Sequence, residues 1–128
     1  MFNPKKLGAA VQGWEYYPAA AGTYKVGQLL NAAGGKLGPI SGASTTTPGY
    51  VCMADVTVAE GDVIPVQRIT KDAIYATTLS AETAAAAIGS KLQVSAGGLQ
   101  ADGATTGTFE LTYVGGTAAG SEVWGRFI

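Results

Sequence analysis

The sequence predicts an all-β fold, a small β-sandwich or barrel of short strands with an extended N-terminal arm. Two observations carry this prediction. From Thr23 onward, short runs rich in Val, Ile, Leu, Thr and Tyr alternate with Gly, Pro, Asn and Asp at spacings of about 8–12 residues, the rhythm of sandwiches and small barrels. Glycine pairs fill the breaks at Gly34-Gly35, Gly97-Gly98 and Gly115-Gly116, where a tight reversal needs the positive φ that a Cβ resists. A chain of 128 residues suffices for one such domain, so the expected division is an arm over 1–22 and a β domain over 23–128.

The arm carries four aromatics, Phe2, Trp14, Tyr16 and Tyr17, with neither helical spacing nor sustained alternation, and ends in Pro18 and Ala19-Ala20-Ala21-Gly22. These rings either anchor the arm on a partner or cover the domain's own core, since Tyr and Trp serve interiors and interfaces alike. Strands are expected over 24–30, 36–40, 50–53, 62–69, 73–77, 91–94, 99–101, 108–114 and 122–127. Pro65 removes a ladder donor, which points to an edge strand or a bulge at 62–69. Ser80 followed by Ala81-Glu82-Thr83 and four alanines reads as a short capped helix stopped by Gly89, or as an extended loop. The apolar end of the chain, through Trp124, Phe127 and Ile128, is expected to be tied into the sheet. A faint echo at an offset of 62 pairs Gly27 with Gly89, Leu30 with Leu92, Gly35 with Gly97 and Leu37 with Leu99, which supports a β-hairpin at both places.

Composition narrows the function classes. Charged residues are 13% of the chain, against roughly 25% in ordinary soluble domains, and the formal net charge is −1. Of the hydrophobic residues 22 are Ala, which bury little, so a modest core and a weakly charged surface suit a protein that completes its burial against neighbours. The eight basic residues are scattered among nine acidic ones and form no stripe for successive phosphates, which disfavours nucleic acid. Residues 7–11 are too short and weak for a secretory segment and no stretch is long enough for a membrane span, so synthesis in the cytoplasm is expected.

Histidine is missing from the sequence, which removes the commonest general base and metal ligand; no cofactor and no enzymatic activity are expected. Cys52, within Tyr50-Val51-Cys52-Met53, reads as a buried inert thiol. Asp55, Glu60 and Asp62 lie close enough to consider as an acid–base pair, but Glu60-Gly61-Asp62 has the chemistry of a tight turn. Arg68 is placed by alternation on the solvated face of its strand.

Four segments, Lys25-Val26-Gly27, Gly35-Lys36-Leu37, Thr46-Thr47-Pro48-Gly49-Tyr50-Val51-Cys52-Met53 and Gly61-Asp62-Val63-Ile64-Pro65-Val66-Gln67-Arg68, resemble the head decoration (capsid cement) proteins of tailed bacteriophages, over residues 23–128. That resemblance implies a compact β domain on the outer surface of a virion, often trimeric, that clamps neighbouring major capsid subunits and brings no catalytic residue. Phe2, Trp14, Tyr16 and Tyr17 are the expected capsid-docking residues. The competing expectation is a carbohydrate-binding or host-adhesion module that stacks exposed Trp and Tyr against sugar rings.

Overall fold

The computed structural model describes residues 1–6, 13–104 and 106–128. Its strands are β1 Asn3–Lys6, β2 Glu15–Pro18, β3 Gly22–Tyr24, β4 Leu29–Ala33, β5 Lys36–Pro39, β6 Tyr50–Cys52, β7 Val56–Val58, β8 Val63–Arg68, β9 Ile74–Thr78, β10 Lys91–Val94, β11 Ala101–Asp102, β12 Phe109–Val114 and β13 Glu122–Phe127. The fold is all-β, as the turn spacing predicts. Residues 25–28 are a turn rather than the start of β4: the Gln28 N–H donates to the Lys25 carbonyl at 3.0 Å, with Gly27 at φ +83°. The alanines after Ser80 line a loop, where the Thr83 N–H leaves for the Thr117 carbonyl instead of entering a helix.

The strands make three layers. A six-stranded sheet has the order β1-β9-β13-β12-β10-β11, a five-stranded sheet the order β2-β8-β6-β4-β5, and β3 and β7 form a ribbon. Alternation along the five-stranded sheet sends consecutive residues to opposite cores. Leu29 and Val51 join Tyr75, Leu92, Phe109, Val123 and Phe127 between the two large sheets. Leu30 and Cys52 point the other way, to a smaller core with Ala19, Tyr24, Leu37, Ile64 and Val66, under Val56 and Val58 of the ribbon. Each large apolar side chain fully buried in either core contributes roughly 1.5–3 kcal/mol.

Both large sheets curl until they nearly close. Ala19 bridges Leu37 in parallel and the Ala20 N–H donates to the Leu37 carbonyl at 2.9 Å; likewise Leu79 bridges Ala101 and the Ser80 N–H donates to the Ala101 carbonyl at 2.9 Å. This correspondence extends through the chain. Taking β2, β4, β5, β6 and β8 as one half and β9 to β13 as the other, the two halves share one strand order. They also share one register: Tyr17↔Ile64 recurs as Thr77↔Val123, Tyr50↔Arg68 as Phe109↔Phe127, Leu30↔Tyr50 as Leu92↔Phe109, and Ala32↔Leu37 as Val94↔Ala101. Gly61 and Gly120, at φ +87° and +82°, stand at equivalent turns and donate to the carbonyls of Ala19 and Leu79. The echo seen in the sequence is thus one part of a tandem repeat of a whole five-stranded unit. It misplaces one strand: Leu37 corresponds to Ala101, not to Leu99, because a 3-10 turn at Ala96–Gly98 lengthens the second hairpin.

Two expectations are corrected. The N-terminal segment is extended, but its described part is not a free arm: β1 pairs with β9 on the larger sheet and β2 with β8 on the smaller one. The strand bearing Pro65 lies not at an edge but between β2 and β6. Proline is accommodated there because the β6 ladder ends at Cys52↔Val66; the Pro65 carbonyl accepts the Met53 N–H at 3.0 Å, and no N–H need be returned. The C-terminal strand is tied in as expected, with β13 held between β9 and β12.

Candidate protein-interaction surface

The four aromatics of the N-terminal segment are sent to three different environments. Phe2 is fully buried: its ring meets Phe109 edge-on with centroids 5.3 Å apart and Phe127 at 6.0 Å, and its N–H donates to the Gly27 carbonyl at 2.8 Å. Its role as a docking anchor is therefore corrected to that of a core residue. An apolar ring next to a chain end gains far more from an enclosed aromatic cluster than from water.

Tyr17 is half-buried at one end of the first half's curled sheet. Its ring lies 5.1 Å from Tyr50, its hydroxyl donates to Glu15 Oε1 at 3.2 Å, and it accepts from Arg68 Nη2 at 3.1 Å. Arg68 Nη2 also reaches Glu15 Oε1 at 3.2 Å, while the guanidinium sits 5.4 Å from the centre of the Tyr50 ring. The Arg68 hydrogen bond holds the Glu15 carboxyl below its ordinary range, and Glu15 in turn raises Arg68. Tyr17 titrates above the ordinary phenol range, first through desolvation and then through its bond to Glu15. Arg68 keeps the solvated position expected of it, but as a clamp on this cluster.

Trp14 and Tyr16 are the two that face water, at 53% and 62% exposure, and Val63 of the neighbouring strand joins them at 61%. The β2–β8 register pairs Tyr16 with Pro65 and Pro18 with Val63, so Tyr16, Val63 and Pro65 share the outer wall of the first half. Residue alternation alone could not reveal Val63, because residues 63–66 read as evenly apolar; its exposure follows from its place on the outer face of the curled sheet, beside Pro18. Glu122, at the place equivalent to Val63 in the second half, shows that the fold does not require an apolar residue there.

The carboxylates weighed as an acid–base pair serve the backbone instead. Asp55 accepts the Val26 N–H at 2.8 Å and Asp62 the Ala59 N–H at 3.0 Å, closing the turn expected at residues 60–62. Glu60 accepts the Ala21 N–H at 3.1 Å and Lys36 Nζ at 2.7 Å, and this pairing with Lys36 holds its carboxyl below the ordinary range. Cys52 is buried, and desolvation pushes its thiol up. An open groove of about 560 Å³ beside β5 is lined by Asn31, Lys36, Gly38, Ser41, Ser44 and Glu60. Among the described residues no three His, Cys, Asp or Glu side chains converge as metal ligands. No protein-family model matches the chain, and no curated protein matches it.

Proposed function

We propose that this chain is a non-enzymatic structural protein of a phage virion, which binds the outside of the capsid and stabilises it by bridging neighbouring major capsid subunits. One observation carries the reading: Trp14, Tyr16 and Val63, three large apolar side chains each more than half exposed, lie along one edge of a weakly charged β domain. Exposed aromatic and aliphatic side chains grouped in this way mark contact surfaces, and aromatics are the usual anchors in such contacts. The resemblance of residues 23–128 to capsid cement proteins supplies the partner.

The test is co-sedimentation with expanded phage capsids that lack their decoration layer. Saturable binding at a fixed ratio to the shell protein is expected, with the double variant Trp14→Ala, Tyr16→Ala losing at least about tenfold in affinity, as for hot-spot aromatics. Both side chains face water, so the fold should tolerate their loss. Removing the first 17 residues is not an equivalent test, because it takes away Phe2, β1 and most of β2. Failure of the intact protein to bind shells, together with a hit on a glycan array, would replace this reading with a sugar-stacking role for the same two rings.

A further inference from the structure

The two halves of the chain treat one equivalent edge differently. In the second half, the outer edge of β9 is covered by β1, with Asn3 opposite Ala76 and Lys6 opposite Ile74. The pairings Tyr16↔Pro65 and Ala76↔Trp124 make Tyr16 the counterpart of Ala76, and hence Trp14 the counterpart of Ile74. Among the described residues, no strand covers β2 there.

Backbone direction shows what this edge offers. The Ala19 N–H donates to the Asp62 carbonyl and the Ala19 carbonyl accepts from Gly61, so Ala19 faces β8. Alternation turns residues 17 and 15 the same way and leaves the N–H and C=O groups of Tyr16 and Trp14 directed outward. Leu79 makes the matching pair of bonds in the second half, to Ser121 and from Gly120, and there the outward groups of residues 74 and 76 are the ones β1 takes. Beyond Tyr16 the edge closes, since Pro18 has no N–H and Ala19 bridges Leu37.

We infer that the β2 edge is a docking strand for the β2 edge of a second copy of this chain, in antiparallel two-fold pairing. The occupant follows from self-complementarity. Placing Trp14 opposite Tyr16 of the second copy, and the reverse, matches both outward-facing residues at once and makes four N–H to O=C bonds around the axis. The same register sets an aromatic pair at each end of the ladder. At the centre it brings two Glu15–Arg68 pairs together, so that the two carboxylates meet with two guanidinium groups beside them. A β1-like strand from elsewhere would be less well matched: β1 lays Lys5 across Trp124, with Nζ 5.5 Å from the ring centre, whereas the first half presents Pro65 and Val63 at and beside that place. A net charge of −1 offers little resistance to association. The pairing goes beyond shell binding and does not depend on it; it would join the Trp14, Tyr16 and Val63 surfaces of two copies into one.

Sedimentation equilibrium and amide hydrogen exchange on the intact protein, in the absence of shells, test the pairing. A reversible dimer is expected, with the Trp14 and Tyr16 amides gaining protection as concentration rises and with isotope-filtered contacts between Trp14 of one copy and Tyr16 of the other. Tyr16→Pro removes an outward donor from each copy without touching the β8 ladder and should weaken association about 30-fold, or roughly 2 kcal/mol. The filtered contacts decide the matter in the unaltered protein should that variant misfold. A strict monomer, a trimer whose Trp14 and Tyr16 amides exchange freely, protection of those amides in the monomer, or a dimer indifferent to Tyr16→Pro in a folded variant would each overturn the inference. Binding to shells would be untouched by any of these outcomes.

Discussion

Replacing Phe2 by Ala empties a site that the chain closes with its second residue. The ring is fully buried against Phe109 and Phe127, and the backbone there is held by the bond to Gly27. Truncation of a buried Phe costs about 3–5 kcal/mol, from lost transfer energy and the cavity left behind. Collapse is restricted on two sides, because Phe109 and Phe127 stand on paired central strands and Leu29 and Val51 belong to the opposite sheet. A value near 4 kcal/mol is expected, which for a domain of this size lowers Tm by roughly 10–20 °C. Thermal unfolding followed by near-ultraviolet circular dichroism measures it. The comparison that refutes the reasoning is with capsid binding: if Phe2→Ala left Tm within about 2 °C of the parent while abolishing shell binding, Phe2 would be a docking anchor and the N-terminal segment an arm after all.

Three further outcomes follow from individual sites. Gly98 has φ +76° and an added Cβ would lie 2.4 Å from the Leu29 carbonyl oxygen, whereas Gly34 has φ +61° and open space around it; Gly34→Ala should cost about 1 kcal/mol and Gly98→Ala roughly 3 kcal/mol or more, as read by urea denaturation. The Glu15 carboxyl, held down by Arg68, supports the fold above the ordinary carboxylate range, and that support is lost as pH falls through its lowered folded value. Carbon-detected titration should find Glu15 below its unfolded value, and Arg68→Gln should return it toward the ordinary one; an unmoved Glu15 would mean that the pair does not form in solution. Cys52, buried with its thiol pushed up, should resist a thiol reagent until the chain unfolds, so that labelling tracks the denaturant midpoint.

Strands such as those at 63–68 and 122–127 were legible because they combine β-branched or aromatic residues with a nearby glycine break, whereas the short ribbon strand β7 Val56–Val58 was not among those expected and its partner β3 was met only at Tyr24. β1 and β2 were not, for a physical reason: Asn-Pro-Lys-Lys and Glu-Tyr-Tyr-Pro lie at sheet edges, where only one side needs ladder partners and no apolar alternation is imposed. The same uncertainty reached the candidate surface. Phe2, Trp14, Tyr16 and Tyr17 look alike in sequence, and their separation into core, exposed wall and polar cluster depends on which neighbouring strand each one meets. The repeat was visible only around residues 27–37 and 89–99, since a different core needs different side chains at the same backbone positions.

That difference accounts for the asymmetry of the molecule. Tyr50, Arg68 and Glu15 of the first half correspond in register to Phe109, Phe127 and Tyr75 of the second. The second set packs against Leu29 and Val51 from the first half and so is apolar; the first set ends at solvent and is a hydrogen-bonded cluster. Tyr17 contributes its own ring to the solvent-facing end, tilted against Tyr50. Its counterpart Thr77 is too small to do so, and Phe2 makes the matching contact with Phe109 instead. To deliver that ring, the N-terminal segment must run along the edge of β9, which is where β1 pairs. One aromatic supplied from outside the repeat therefore seals the second half, and the strand that follows it covers the edge of β9; the first half needs no such ring, and among the described residues no strand covers its β2 edge, where the proposed pairing would form.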